Sequence, residues 1–129
     1  MTKETFATAI NCMDGRTQEP IIYWAKKTFE VDYVDAITEP GPDKILAEGS
    51  DTLVESIKNR VMISVNKHGS QNVIVVSHHD CAGNPVSKKE HLEQLKKSVD
   101  VISSWELGVK IIGVWIGEDR KVNKLIEQA

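Results

Sequence analysis

The sequence predicts an α/β fold: an open parallel sheet of four or five strands in the order 2-1-3-4, with helices on both faces. Three observations carry this. Strand-like and helix-like patterns alternate four times along the chain. Val73-Ile74-Val75-Val76 is an unbroken β-branched run, as expected of a strand buried on both faces of a parallel sheet. Right-handed crossovers between parallel strands then put the intervening helices on the sheet faces. At 129 residues the chain is long enough for one domain with a single core, and residues 1–129 are read as that domain.

Residues 5–11 read as the first strand, with Phe6-Ala7-Thr8-Ala9-Ile10 as its apolar run. A helix is predicted over 17–29, where Ile21, Ile22, Trp24, Ala25, Thr28 and Phe29 recur at roughly helical spacing. Pro20 fits its first turn, where a missing N–H has no intrahelical partner to lose. Residues 31–37 form the second strand, β-branched and aromatic in near alternation, and 38–43 a loop rich in Pro and Gly. A short helix over 44–48 is interrupted at Gly49-Ser50. Ser50 or Asp51 caps a longer one to about residue 68, with Leu53, Val54, Ile57, Val61, Met62 and Val65 inward and Gly69 as the stop.

The third strand covers 72–77 and the loop after it 78–85. Ser87 caps the next helix, with Glu90 completing a capping box. This helix extends to about residue 107, with Leu92, Leu95, Val99, Ile102 and Trp105 on its core stripe. Residues 110–116 are a fourth strand, 117–119 a turn and 120–127 a last short helix. His68 and His91 are expected to be solvated, and Trp24, Trp105 and Trp115 to pack in the core or against another copy.

A formal net charge of -3 gives no general attraction to nucleic acid or anionic lipid. No apolar run is long enough to span a bilayer, and no secretory apolar region stands at the N-terminus, so a cytoplasmic protein without membrane contact is expected. In that compartment the two cysteines, Cys12 and Cys81, are expected to be thiols or metal ligands rather than a disulfide.

The chemistry gathers in two loops. Asn11-Cys12-Met13-Asp14-Gly15-Arg16 follows the first strand, and His78-His79-Asp80-Cys81 ends the third. In extended backbone Cys12, Asp14 and Arg16 project to one side. With strands one and three adjacent and their connections leaving to opposite faces, a crevice opens at their ends, the usual ligand site of such sheets. Cys12, His78 and Cys81 converge there. Two thiolates and an imidazole are a common zinc set, and three protein ligands leave one position free, as in catalytic zinc sites.

Cys12-x-Asp14-x-Arg16 followed by His78-x-x-Cys81, each at a strand end, resembles the β-class carbonic anhydrases. The resemblance is closest over 6–16 and 72–83. It implies a Zn²⁺ ion bound by Cys12, His78 and Cys81, with Asp14 and Arg16 as a catalytic dyad beside it. In that family the aspartate either becomes a fourth zinc ligand or pairs with the arginine and leaves that position to water. The implied reaction is reversible hydration of carbon dioxide to bicarbonate by zinc-bound hydroxide, in a homodimer or larger homo-oligomer. The chain departs from the family where Thr38-Glu39-Pro40-Gly41-Pro42 replaces an Arg-Asn-Ala-Gly-Asn loop and where Ala82 replaces glycine; it also starts almost at the first strand, without the helical arm of many members. These departures keep two alternatives in view: a related zinc hydrolase of carbonyl sulfide or carbon disulfide, and a zinc-binding regulatory domain without turnover. A phosphatase motif, Asp-x-Asp-Gly-x-Thr, is matched by 12–17 only with Cys12 in place of the nucleophilic Asp, and leaves His78 and Cys81 unexplained. His79 is read as a polar loop residue or proton shuttle, and Asp80 as a residue that orients the loop or a ligand.

Overall fold

The computed structural model describes residues 3–129. Its strands are β1 (Phe6–Cys12), β2 (Tyr33–Glu39), β3 (Asn72–His78), β4 (Lys110–Ile116) and β5 (Val122–Gln128). Its helices are α1 (Gln18–Phe29), α2 (Pro42–Glu48), α3 (Asp51–His68) and α4 (Lys88–Ser103), with a 3-10 turn at Gly15–Thr17. The sheet order is β2-β1-β3-β4-β5. The first four strands are parallel, in the predicted order, and β5 runs antiparallel on β4.

One face of the sheet is covered by α1, whose Ile21 and Ala25 pack on Ala9, Ile74, Val76, Ile112 and Val114. The opposite face carries α2, α3 and α4, with Leu46, Ile57, Val61, Leu95, Val99 and Ile102 packed over Ile10, Val73, Val75 and Ile111. β3 is buried along nearly its whole length, as its β-branched run predicts. α4 crosses so close to β4 that a Cβ on Gly113 would stand 3.1 Å from Val99 and 3.2 Å from Leu95. Ser50 Oγ accepts from Leu53 N–H and Ser87 Oγ from Glu90 N–H, and Gly69 closes α3 in a left-handed conformation.

Several expectations are corrected. Residues 120–127 contain no helix: Val122–Gln128 is the fifth strand. Val122, Leu125 and Ile126 stand at helical spacing, but the register steps from Val114↔Lys124 to Gly113↔Ile126, which leaves Leu125 as an extra, bulged residue. That bulge turns Val122 towards the α1 side and Ile126 towards the α4 side. The strand also covers what would be a bare edge of β4. α4 ends at Ser103, four residues early, where Ser104 Oγ donates to Val101 O. Pro42 and Asp43 open α2 rather than lying in a loop. Leu53 and Met62 are exposed, at the margins of the α3 stripe. His91 is buried, whereas His68 is exposed as expected, stacked on Phe6 and bonded to Asp35. Trp115 is buried and Trp105 packs against the core as expected. Among the described residues no helix is long and apolar enough to cross a membrane.

Candidate metal centre

The chain leaves β1 towards α1 on one face and leaves β3 towards α4 on the other, so a crevice opens between the two strand ends. Cys12 is the last residue of β1 and His78 the last of β3, with Cys81 in the loop beyond. All three are buried, at 3%, 4% and 3% exposure. One ligand atom from each lies within 4.8 Å of the others. The predicted ligand residues are therefore brought together.

Their arrangement fits a zinc ion. The two sulfurs are 3.9 Å apart and both cysteines are free. A tetrahedral ion with metal–sulfur bonds of about 2.3 Å spaces two sulfurs by about 3.8 Å. His78 Nδ1 lies 2.8 Å from the His79 carbonyl oxygen, which can only accept. The proton therefore sits on Nδ1 and Nε2 presents its lone pair. That Nε2 is buried and makes no hydrogen bond of ordinary geometry among the described residues. A buried acceptor without a partner beside two thiols is what a metal-ligand atom would present.

The electrostatics favour ionised sulfur. Cys12 is lowered, first by the Cys81 thiol donating to it, then, against the effect of burial, by His78 and by the backbone N–H groups of Gly41 and Asp14. Cys81 is pushed up, because its proton is shared with the Cys12 thiolate and because it is buried. Burial pushes His78 down, but the Cys12 sulfur, the His79 carbonyl and Asp14 together outweigh it. A divalent cation removes this competition for one proton, since it favours both sulfurs as thiolates.

Asp14 and Arg16 form a bidentate pair. Arg16 Nη2 donates to Asp14 Oδ2 at 2.7 Å and Nε to Oδ1 at 3.1 Å, while the Arg16 backbone N–H donates to Oδ1 at 2.9 Å. The guanidinium holds the Asp14 carboxyl well below the usual carboxylate range, and Asp14 and Asp80 raise Arg16 in return. Arg16 also reaches the other loop, with Nη1 donating to Asp80 Oδ2 at 3.3 Å and Nη2 to Asp80 O at 3.1 Å. Asp80, held at φ 59, thus orients the loop between His78 and Cys81. His79 is exposed. Gln18 Nε2 donates to Cys12 O at 2.7 Å and Thr17 Oγ1 to Asp14 O at 2.8 Å, which fixes the turn below the site.

A profile of the family described as "Putative carbonic anhydrase" matches residues 2–126. The chain belongs to this carbonic anhydrase family. Solved structures share its fold. One of two tetrameric β-carbonic anhydrases from Sordaria macrospora aligns with a TM-score of 0.65 and 10% identity, covering 99% of this chain and 84% of its own. The carbonic anhydrase from Glaciozyma antarctica aligns at 0.59 with 18% identity, covering 96% and 84%. The β-carbonic anhydrase CafA of Aspergillus fumigatus aligns at 0.50 with 12% identity, covering 95% and 76%. At these identities the likeness is one of fold. No curated protein sequence matches the chain.

The loop that departs from the β-class pattern is part of the site. Gly41 has φ +66, and a Cβ there would stand 2.7 Å from Asn84 Cβ. A Cβ on Gly83 would stand 2.7 Å from the Pro40 carbonyl carbon. The Pro40-Gly41 turn and the Cys81 loop therefore interlock without spare room. Sequence reasoning did not find the polar residues beneath this contact: Asp43, Asn84 and His91. A signal existed for His91, which shares the inward spacing of Leu95, Ser98 and Ile102 on α4.

Proposed function

We propose that the chain catalyses the reversible hydration of carbon dioxide to bicarbonate at a zinc ion bound by Cys12, His78 and Cys81. The observation that carries this reading is the convergence of those three buried ligand atoms beside a clamped Asp14–Arg16 pair, in a chain of the carbonic anhydrase family. Zinc held there supplies Lewis acidity, which makes water nucleophilic near neutral pH.

The chain's own residues supply the rest. Cys12 and Cys81 offer two negative charges, which balance a divalent ion and temper its acidity. His78 is locked in the tautomer that presents Nε2. Arg16 keeps Asp14 ionised and turned towards itself, so that Asp14 is a hydrogen-bond acceptor and not a competitor for the metal position. Asp14 Oδ1 accepts two bonds from Arg16, but Oδ2 accepts only one and retains a lone pair. With it Asp14 accepts a hydrogen bond from the attacking water and sets its direction towards the carbon of CO₂. The tetrameric state of the Sordaria macrospora relatives supports a homo-oligomer as the working form.

Metal analysis and stopped-flow CO₂ hydration near pH 8.5 test the reading. One zinc per chain is expected, lost in Cys12→Ser, with turnover well above buffer that falls in Asp14→Asn. Absence of zinc from wild-type protein refutes the metal centre. Stoichiometric zinc without turnover refutes the reaction; turnover of carbonyl sulfide or carbon disulfide instead would then assign the site to those substrates.

A further inference from the structure

The strongest feature outside the ligand set is a buried polar cluster directly beneath it. Asp43 is 1% exposed and every oxygen it carries is engaged. Its Oδ2 accepts from Ser77 Oγ at 2.7 Å and from His91 Nδ1 at 2.6 Å. Its Oδ1 accepts from Asn84 Nδ2 at 3.0 Å and from Lys44 N–H at 2.9 Å, and its carbonyl accepts from Ser98 Oγ at 3.0 Å. Burial pushes the carboxyl up, but His91, Ser77 and Asn84 more than offset this, so Asp43 is a buried carboxylate. His91 Nε2 and Asn84 Oδ1 are themselves buried without a partner among the described residues. Such a cluster is a costly way to fill a core. Core packing alone does not explain why a carboxylate stands there.

We propose that Asp43 is a positioning residue for the metal centre, clamping the two segments that carry His78 and Cys81 to the Pro40-Gly41 turn beside Cys12. The inference rests on the zinc-site reading above. Each side-chain donor belongs to a ligand-bearing segment or to α4 behind it. Ser77 precedes His78 on β3. Asn84 closes the Cys81 loop, with its N–H on the Cys81 carbonyl at 3.2 Å. Asp43 lies two residues after Gly41, whose N–H faces the Cys12 sulfur. His91 and Ser98 anchor the carboxylate to α4. The interlock of Gly41 with Asn84 and of Gly83 with Pro40 tolerates no sliding of one loop over the other. Asp43 sets its register: the carboxylate that begins α2 bonds both the end of β3 and the loop after Cys81, so the sulfur–sulfur and sulfur–imidazole spacings are set before a metal arrives.

The test uses the full chain with zinc and with cobalt as probes. Asp43→Asn keeps the shape but replaces one acceptor oxygen by a donor, so the two donors on that oxygen lose their acceptor. Asp35→Asn is the control, because Asp35 also gathers Ser64 and His68, but away from the metal loops. Zinc affinity is measured by competition with 4-(2-pyridylazo)resorcinol, and the site's geometry by the visible spectrum of the cobalt-loaded protein. Asp43→Asn is expected to bind zinc about 10–100-fold more weakly, the usual effect of losing a partner behind the ligands, and to shift the cobalt bands. Asp35→Asn is expected to match wild type in both. Unchanged affinity and spectrum in folded Asp43→Asn, or an equal loss in Asp35→Asn, overturns the proposal. If Asp43→Asn does not fold, Ser77→Ala carries the same expectations and the same refutation. Wild-type protein that binds no zinc overturns the metal centre itself, whereas wild-type binding with an unaltered Asp43→Asn overturns only the role of Asp43.

Discussion

Gly41→Ala probes the interlock between the two loops, and three glycines allow its effect to be separated into parts. Gly15 has open space around it and no left-handed requirement. Gly108 has φ +72 but nothing within 4 Å of an added Cβ. Gly41 has both φ +66 and a Cβ contact of 2.7 Å with Asn84, besides 3.2 Å contacts with the Gly83 backbone. A left-handed alanine costs about 1–2 kcal/mol, reduced by about 0.4–1 kcal/mol because the unfolded chain also loses freedom. Gly108→Ala should therefore lose about 1 kcal/mol. Gly41→Ala adds overpacking against Asn84 and backbone, about 1–3 kcal/mol, for a total of roughly 2–4 kcal/mol. At about 2.1 cal/mol/K per residue of unfolding entropy, each kcal/mol lowers Tm by about 4 °C in a chain of 129 residues. Differential scanning calorimetry should then rank Gly15→Ala near wild type, Gly108→Ala about 4 °C lower and Gly41→Ala about 7–15 °C lower. A Gly41→Ala variant no less stable than Gly108→Ala would show that the loops have slack, and the account of a pre-set metal centre would lose its steric basis.

Asp43 also predicts an acid limb of stability. Its folded pKa is depressed, so its contribution is fully present above the unfolded value of about 4 and is lost as pH falls through the folded value. Thermal melts of metal-free protein should show the Tm gap between wild type and Asp43→Asn largest above about pH 5 and narrowing below about pH 4. A gap independent of pH from 3 to 7 would contradict an ionised Asp43. In the core, Leu95 is fully buried between α4 and the sheet. Leu95→Ala should lose about 2–5 kcal/mol in urea unfolding, and a loss under 1 kcal/mol would mean that α4 is not packed as described.

The ligand set was legible because its chemistry lies at the ends of strands whose own pattern is plain. A β-branched run that stops at His78-x-x-Cys81 places both residues at one sheet edge, and the alternation of elements brings Cys12 to the same edge. The fifth strand was not legible, because a single bulged residue, Leu125, converts strand spacing into helical spacing. Local sequence cannot reveal a bulge whose cause is the partner strand. His91 was misread for a related reason. Its place on the inward stripe of α4 was visible, but its polar character argued for solvent. Its burial is compensated by Asp43, 48 residues away in sequence, and only the fold brings that carboxylate to it.

Two clamps therefore join the ligand loops, and burial decides what each can do. Arg16 links Asp14 to Asp80 from the outside, but its side chain is 44% exposed and that of Asp80 72%. Ion pairs so open to solvent are screened and hold loops together weakly. What Arg16 does well is directional, because two parallel bonds to one carboxylate fix the plane and aim of Asp14. Asp43 links Ser77, Asn84 and the Gly41 turn from inside, at 1% exposure, where water cannot replace its bonds. The inner clamp thus fixes where the ligands stand, while the outer one fixes how the carboxylate beside them points. Loss of Arg16 should then alter proton handling with zinc retained, while loss of Asp43 should alter zinc binding itself.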